Sequence, residues 1–298
     1  VARPDPPRVS AWQSLLDSLL ELEKADSTIQ EKAMTLTAES LQKVDYGEAR
    51  GGFGPEEWKT RVELAACYRL VHHYGWTSQV YNHITARIPG TEHLLINPYG
   101  MQYEEIRASN LVKIDIEGNK IDGSPFPVNT AGYVIHSAVH AARKDVQCVV
   151  HTHSPNAVAL AATQTEFVPL NQEGCQFHER VGYHAFEGIA LDKDERRRLI
   201  EDLGPTNHTM LLWNHGVLTM GPSICWGFVR LYQFEIAAGV QLRAMATGAP
   251  LRRIPEKVMA RTREQFEGGD AQAGAYVRHP EWPAALRMLD RIDPSYRT

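Results

Sequence analysis

The stretch that decides the fold is CVVHTHSPNAVALAA, residues 148–162. An apolar run rich in valine stops on two histidines, His151 and His153, and passes at Ser154 and Pro155 into a segment of small residues. Valine favours a pleated strand, and Ser followed by Pro suits the cap and first position of a helix. The stretch therefore predicts a buried strand that ends as a helix begins. Residues two apart on a strand share a face, so His151 and His153 project together. Either one imidazole is buried and hydrogen-bonded while the other meets solvent, or both are arms of a metal site. A position at a strand end, where sites in open sheets form, favours function. His215 in LLWNHGV (211–217) ends another apolar strand, between Asn214 and Gly216. Three neutral imidazoles are a common partial shell for Zn²⁺ or Fe²⁺ and leave positions open for water or substrate.

Working outward, PEEWKTRVELAACYRLVHHYG (55–75) opens with proline and two carboxylates and closes on glycine, which predicts a helix. NHITARI (82–88), HLLINP (93–98) and LVKIDIEGNKI (111–121) are short β-prone runs separated by Pro and Gly, as in antiparallel strands. VNTAGYVIHSAVHAARKD (128–145) predicts a helix capped by Asn129 or Thr130. Farther on, 193–204 is helical, 209–221 is a pair of strands pinched at Asn214, His215 and Gly216, and 223–248 is a long helix. Helices lie before, between and after the strands, so an α/β sheet covered on both faces is the economical arrangement.

Residues 1–54 are expected to form an N-terminal helical extension, with leucines at helical spacing in AWQSLLDSLLELEKA (11–25). Residues 55–250 are the main domain. Residues 251–298 add a charged helix and a tail with Trp282 and alternating prolines, expected to wrap the body or a neighbouring subunit.

The chain has 298 residues, of which 43% are hydrophobic and 22% charged, as in an ordinary globular protein. Its 31 Lys plus Arg against 36 Asp plus Glu leave no basic surplus for a phosphate backbone, so nucleic acid is not an expected partner. No apolar stretch approaches the roughly 20 residues that span a bilayer, so no membrane segment is expected. The four scattered cysteines form no CxxC pair, and the opening VARPDPPRVS lacks the apolar centre of a signal peptide. A reduced, cytoplasmic setting is expected.

The motifs YGWTSQVYNHITARI, NTAGYVIHSAVHAARKDVQCVVHTHSP and NHGVLTMG, in that order, resemble the class II aldolase/adducin superfamily, and its adducin-like branch most. The resemblance implies a three-layer α/β/α sandwich with a mostly antiparallel central sheet. It also implies a divalent metal ion, Zn or Fe(II), on His151, His153 and His215, and a ring-shaped homotetramer with sites near subunit boundaries. Two departures matter. The family's sugar-phosphate aldolases carry a catalytic glutamate four residues before the position of His136, and here that position is Gly132. Their phosphate loop has Gly-Asn where this chain has Asn82-His83, and their paired serines resemble Thr130 and Ala131. The first departure removes the family's usual base, and the second argues against a phosphorylated sugar.

His136 and His140 share a helix face and could bind metal. Because the resembling family holds its ion elsewhere, a role in packing or in supporting the metal ligands from behind is expected for His136, and a surface or interface role for His140. His72 and His73, near a helix end, are expected to meet terminal carbonyls. In PLNQEGCQFHERVGYHAFEG (169–188), Glu173 is the leading substitute for the missing base, against the alternative that it caps a helix. His178 is the leading fourth ligand or acid–base group, and Tyr183 or Tyr133 could donate a proton, although tyrosine more often packs in a core.

A metal on three imidazoles can polarise a carbonyl or stabilise an enolate. The sequence therefore predicts a metal-dependent lyase, aldolase-like or decarboxylating, acting on a small non-phosphorylated oxo or hydroxy acid. Two alternatives stand beside it: a non-haem iron oxygenase acting on an aromatic or hydroxy acid, and a non-catalytic, adducin-like assembly protein.

Overall fold

The computed structural model describes residues 43–188, 194–268 and 280–298, without the side chains of 130–132. The helix expected at 11–25 lies outside the described residues. Residues Val44–Thr298 form one compact unit.

Helix α1 (Pro55–His73) follows the sequence signals closely, with Pro55 in its first turn beside Glu56 and Glu57. Gly75, at φ +73°, turns the chain out of it. Strands β1 (His83–Arg87), β2 (Leu94–Ile96) and β3 (Val112–Ile114) come next, then α2 (Thr130–Ala142), β4 (Cys148–Thr152) and α3 (Pro155–Ala161). The second half runs β5 (Val181–His184), α4 (Glu195–Leu203), β6 (Thr209–Leu212), β7 (Gly216–Gly221), α5 (Ile224–Ala246), α6 (Glu256–Phe266) and α7 (Glu281–Ile292). The seven strands make one sheet in the order β3-β2-β1-β4-β7-β6-β5. Every neighbouring pair is antiparallel except β5 with β6.

Alternating side chains of the central strands enter two different cores, as the period of a strand requires. Cys148, Val150, Leu211 and Val217 face α1, α3, α5 and α7 on one side. Val149, Met210, Leu212, Leu218 and Met220 face Ile135 and Val139 of α2 and Leu199 and Leu203 of α4 on the other. Burial on both faces explains why these strands read as nearly continuous apolar runs, and it makes the fold the three-layer α/β/α sandwich expected.

The C-terminal tail is more regular than its prolines suggested. Pro283 falls in the first turn of α7, where a missing N–H costs nothing. Trp282, Leu286 and Leu289 are buried in the main core, and the backbone N–H groups of Ala108 and Ser109 donate to the carbonyls of Tyr296 and Thr298. The described part of the tail thus wraps the body of its own chain. All four cysteines are free thiols, and no described helix is long and apolar enough to cross a membrane.

Candidate metal centre

β4 holds His151 at the middle of the sheet, with Cα partners His83 on β1 and Leu218 on β7. Its Nδ1 lies 3.1 Å from the carbonyl oxygen of Val217. A carbonyl only accepts, so Nδ1 carries the proton and Nε2 is left bare, the tautomer that a metal needs. His153 sits one residue beyond the strand as assigned, yet its ring centroid is 5.1 Å from that of His151.

His215 arrives on the β6–β7 hairpin. Leu212 pairs with Gly216, and the turn closes through the His215 N–H donating to the Leu212 carbonyl at 3.1 Å. Asn214 takes φ +57°, a left-handed conformation that asparagine tolerates better than most residues. A Cβ on Gly216 would lie 2.5 Å from the Thr152 carbonyl oxygen and 3.0 Å from Cδ2 of His153. Glycine therefore lets the hairpin close onto the end of β4. The centroid of His215 is 4.9 Å from those of both His151 and His153.

One ring nitrogen from each of the three histidines lies within 4.8 Å of the other two. Nε2 of His153 is buried without a hydrogen-bond partner, a cost that a bound cation would remove. Burial, followed by the neighbouring imidazoles, holds the pKa of His151 well below its ordinary value. Burial also lowers His153, and burial with His153 lowers His215 to about 4. All three are neutral near pH 7, as ligation requires. Donor type, convergence and protonation state thus fit one divalent ion. Phe186, 55% exposed, stands beside the centre with its ring 6.1 Å from His215.

Behind His151 lies a second histidine group that sequence reading did not assemble. His83, on the same face of the sheet, has its ring centroid 4.1 Å from His136 and 5.6 Å from His151. The Thr85 hydroxyl bridges Nδ1 of His136 at 2.7 Å and Nε2 of His140 at 2.8 Å. His136 and His140 are wholly buried. His136 thus packs as expected, whereas the surface role expected of His140 is corrected: its helix face turns into the sheet. Burial, then the Arg87 charge, pushes His140 down to about 3. Only the β1–β4 register brings His83 and Thr85 opposite His151 and Val149.

The other candidates are placed differently. His178 clusters with Glu179 and Glu256, not with the three histidines. It precedes β5, whose first residue Val181 pairs with Thr209 at the start of β6, while His215 follows the far end of β6. Within one chain His178 is therefore at the opposite end of the sheet from the centre. Glu173 begins a 3-10 turn, Glu173–Phe177, and accepts a hydrogen bond from the Asn171 side chain at 2.9 Å. It too stands outside the three-histidine cluster. The Tyr183 hydroxyl accepts from the Phe167 N–H at 3.1 Å, and burial raises its pKa to about 12. Its ring stacks at 5.1 Å on Trp213, two residues before His215. Tyr133 donates to the Asp115 carbonyl at 2.8 Å and belongs to a core. His72 does not meet terminal carbonyls; its Nδ1 pairs with Glu104 at 2.9 Å.

A mostly antiparallel α/β sandwich thus brings three histidines together at the end of β4 and the β6–β7 hairpin, a donor set that fits a divalent ion. The chain belongs to the Class II Aldolase and Adducin N-terminal domain family, whose profile matches residues 62–242. It is similar to a solved aldolase II superfamily protein from Pseudomonas syringae, at 42% identity and TM-score 0.76, over 85% of this chain and all of that one. The L-fuculose 1-phosphate aldolase of Glaciozyma antarctica is similar at 27% identity and TM-score 0.70, over 88% of this chain and all of that one. Alpha-adducin of Rattus norvegicus is 36% identical over 80% of this chain, which matches 34% of the adducin.

Proposed function

We propose that the protein is a metal-dependent lyase that breaks a carbon–carbon bond in a small non-phosphorylated oxo or hydroxy acid. The observation that supports it most is the convergence of one ring nitrogen from each of three histidines within 4.8 Å in a chain of the class II aldolase family. A divalent ion held there supplies polarisation of a carbonyl and stabilisation of the negative charge that develops beside it.

The chain's own residues set the limits of this chemistry. The Val217 carbonyl orients His151, and Gly216 lets His153 and His215 approach. The helix α2 position that carries a carboxylate in the resembling aldolases is Gly132, so the proton must be accepted elsewhere. In this proposal Glu173 accepts it, and Tyr183 supports the Trp213 end of the hairpin. The homotetramer is part of the same proposal, with sites completed near subunit boundaries. Incubating Zn²⁺-loaded and Fe²⁺-loaded protein with a panel of oxo and hydroxy acids tests the reading. Cleavage or CO₂ release lost in Glu173→Gln supports it. No product from any acid contradicts it, and oxygen uptake with iron alone would favour an oxygenase instead.

Gly132 and the likeness to alpha-adducin support a second reading, a non-catalytic assembly module. A protein isolated without metal, and equally stable after substitution of the three histidines, would favour that reading.

A further inference from the structure

We propose that Glu235 on α5 is a positioning residue for the metal centre, acting through α3; this rests on the reading that the three histidines hold an ion. Ser154 occupies the cap position of α3, yet its hydroxyl makes no capping bond to the helix. It donates instead to Oε2 of Glu235 at 2.7 Å. The Glu235 carboxyl takes over the cap from another helix, accepting the N–H of Asn156 at 2.7 Å on Oε1 and that of Ala157 at 3.0 Å on Oε2. The Asn156 side chain donates to the Glu235 carbonyl at 3.2 Å. One turn along α5, a Cβ on Gly239 would lie 2.7 Å from Nδ2 of Asn156, so glycine permits this close approach. Glu235 is only 4% exposed.

The two ends of α3 meet two different ligand segments. Its first residue follows His153 and Ser154 directly. The carbonyl of its last residue, Ala161, accepts the N–H of Asn214, the neighbour of His215, at 2.9 Å. α3 thus brackets the distance from His153 to His215, and Glu235 fastens the bracket to α5. His151 does not depend on it, because the β1–β4–β7 ladder holds that residue. A glutamine at 235 keeps the shape but can accept on only one terminal atom, so at least one of the three bonds is lost.

Co²⁺ is the probe, since its visible absorption reports ligand geometry. Wild type, Glu235→Gln and Ser154→Ala are titrated with Co²⁺ against a chromophoric chelator, and the melting of each metal-free protein is followed in parallel. Glu235→Gln is expected to weaken Co²⁺ binding by up to about 10-fold, the low end of the range for groups that bond a ligand directly, and to change the absorption band. Ser154→Ala, which keeps both amide bonds, is expected to weaken it less. Unchanged affinity and spectrum in Glu235→Gln, whatever happens to melting, overturns the proposal. If that variant does not fold, wild-type affinity and spectrum in Ser154→Ala overturn it. Wild type that binds no Co²⁺ removes the metal reading and this proposal together, whereas wild type and variants that bind it equally remove only this proposal.

Discussion

Two groups of histidines meet at His151, and they differ in what surrounds them. His153 and His215 lie past strand ends, partly open to solvent, on turns shaped by Gly216 and Asn214. His136 and His140 lie inside, with no exposed surface, joined by the Thr85 hydroxyl. The same side chain therefore serves two physical ends. A half-open imidazole with a bare nitrogen is available to an ion, whereas His136 and His140 are enclosed and each gives one ring nitrogen to the Thr85 hydroxyl, which ties them into the fold.

The largest expected effect separates the two groups directly. His153→Ala should lower divalent-metal affinity by at least about 100-fold, beyond the range of an orienting residue, with little change in the melting of the metal-free protein. Equilibrium dialysis with calorimetry checks both halves, and a strongly destabilised fold would mean that His153 belongs with the buried group. Gly216→Ala should cost about 1–3 kcal/mol in denaturant unfolding, because its Cβ meets the backbone oxygen of Thr152 and not a mobile side chain. It should also weaken metal binding, since His153 lines the same gap.

Thr85→Val tests the interior group. It conserves shape but strips both imidazoles of their shared hydroxyl, at about 1–3 kcal/mol for a buried polar group left unpaired. Metal stoichiometry should stay at the wild-type value; loss of the ion would show that the two groups act as one. A separate effect should appear with pH in metal-free protein. His140 and His215 sit at about 3 and about 4 in the folded chain, below the ordinary 6.5, so the unfolded chain binds protons more readily. Stability should be full above about pH 6.5 and fall progressively as pH drops toward 3. Denaturant midpoints at pH 7 and pH 5 measure this, and equal midpoints would contradict the burial of these imidazoles.

Local signals made much of this readable. Pro55 with two carboxylates, the valine run into His151, and the pinch at 214–216 each act over a few residues, where propensity and turn chemistry decide the outcome. The order of family motifs likewise pointed to the sandwich. What escaped depended on pairing between distant segments. No local pattern says that His83 faces His151, because that follows from the β1–β4 register. Glu235 lies 81 residues from the Ser154 it holds. α7 was obscured by Pro283, which reads as a breaker until the helix start is known. His178 was drawn toward the centre by residue type alone, and the direction of β5 separates them.

Everything proposed for this site requires His151, His153 and His215 to hold a divalent ion. Elemental analysis of the purified protein, alongside His151→Ala, His153→Ala and His215→Ala, tests it most directly. One equivalent of zinc or iron per chain is expected in wild type and none in any of the three variants. Wild-type protein without metal after incubation with either ion, or variants that keep a full equivalent, would contradict it.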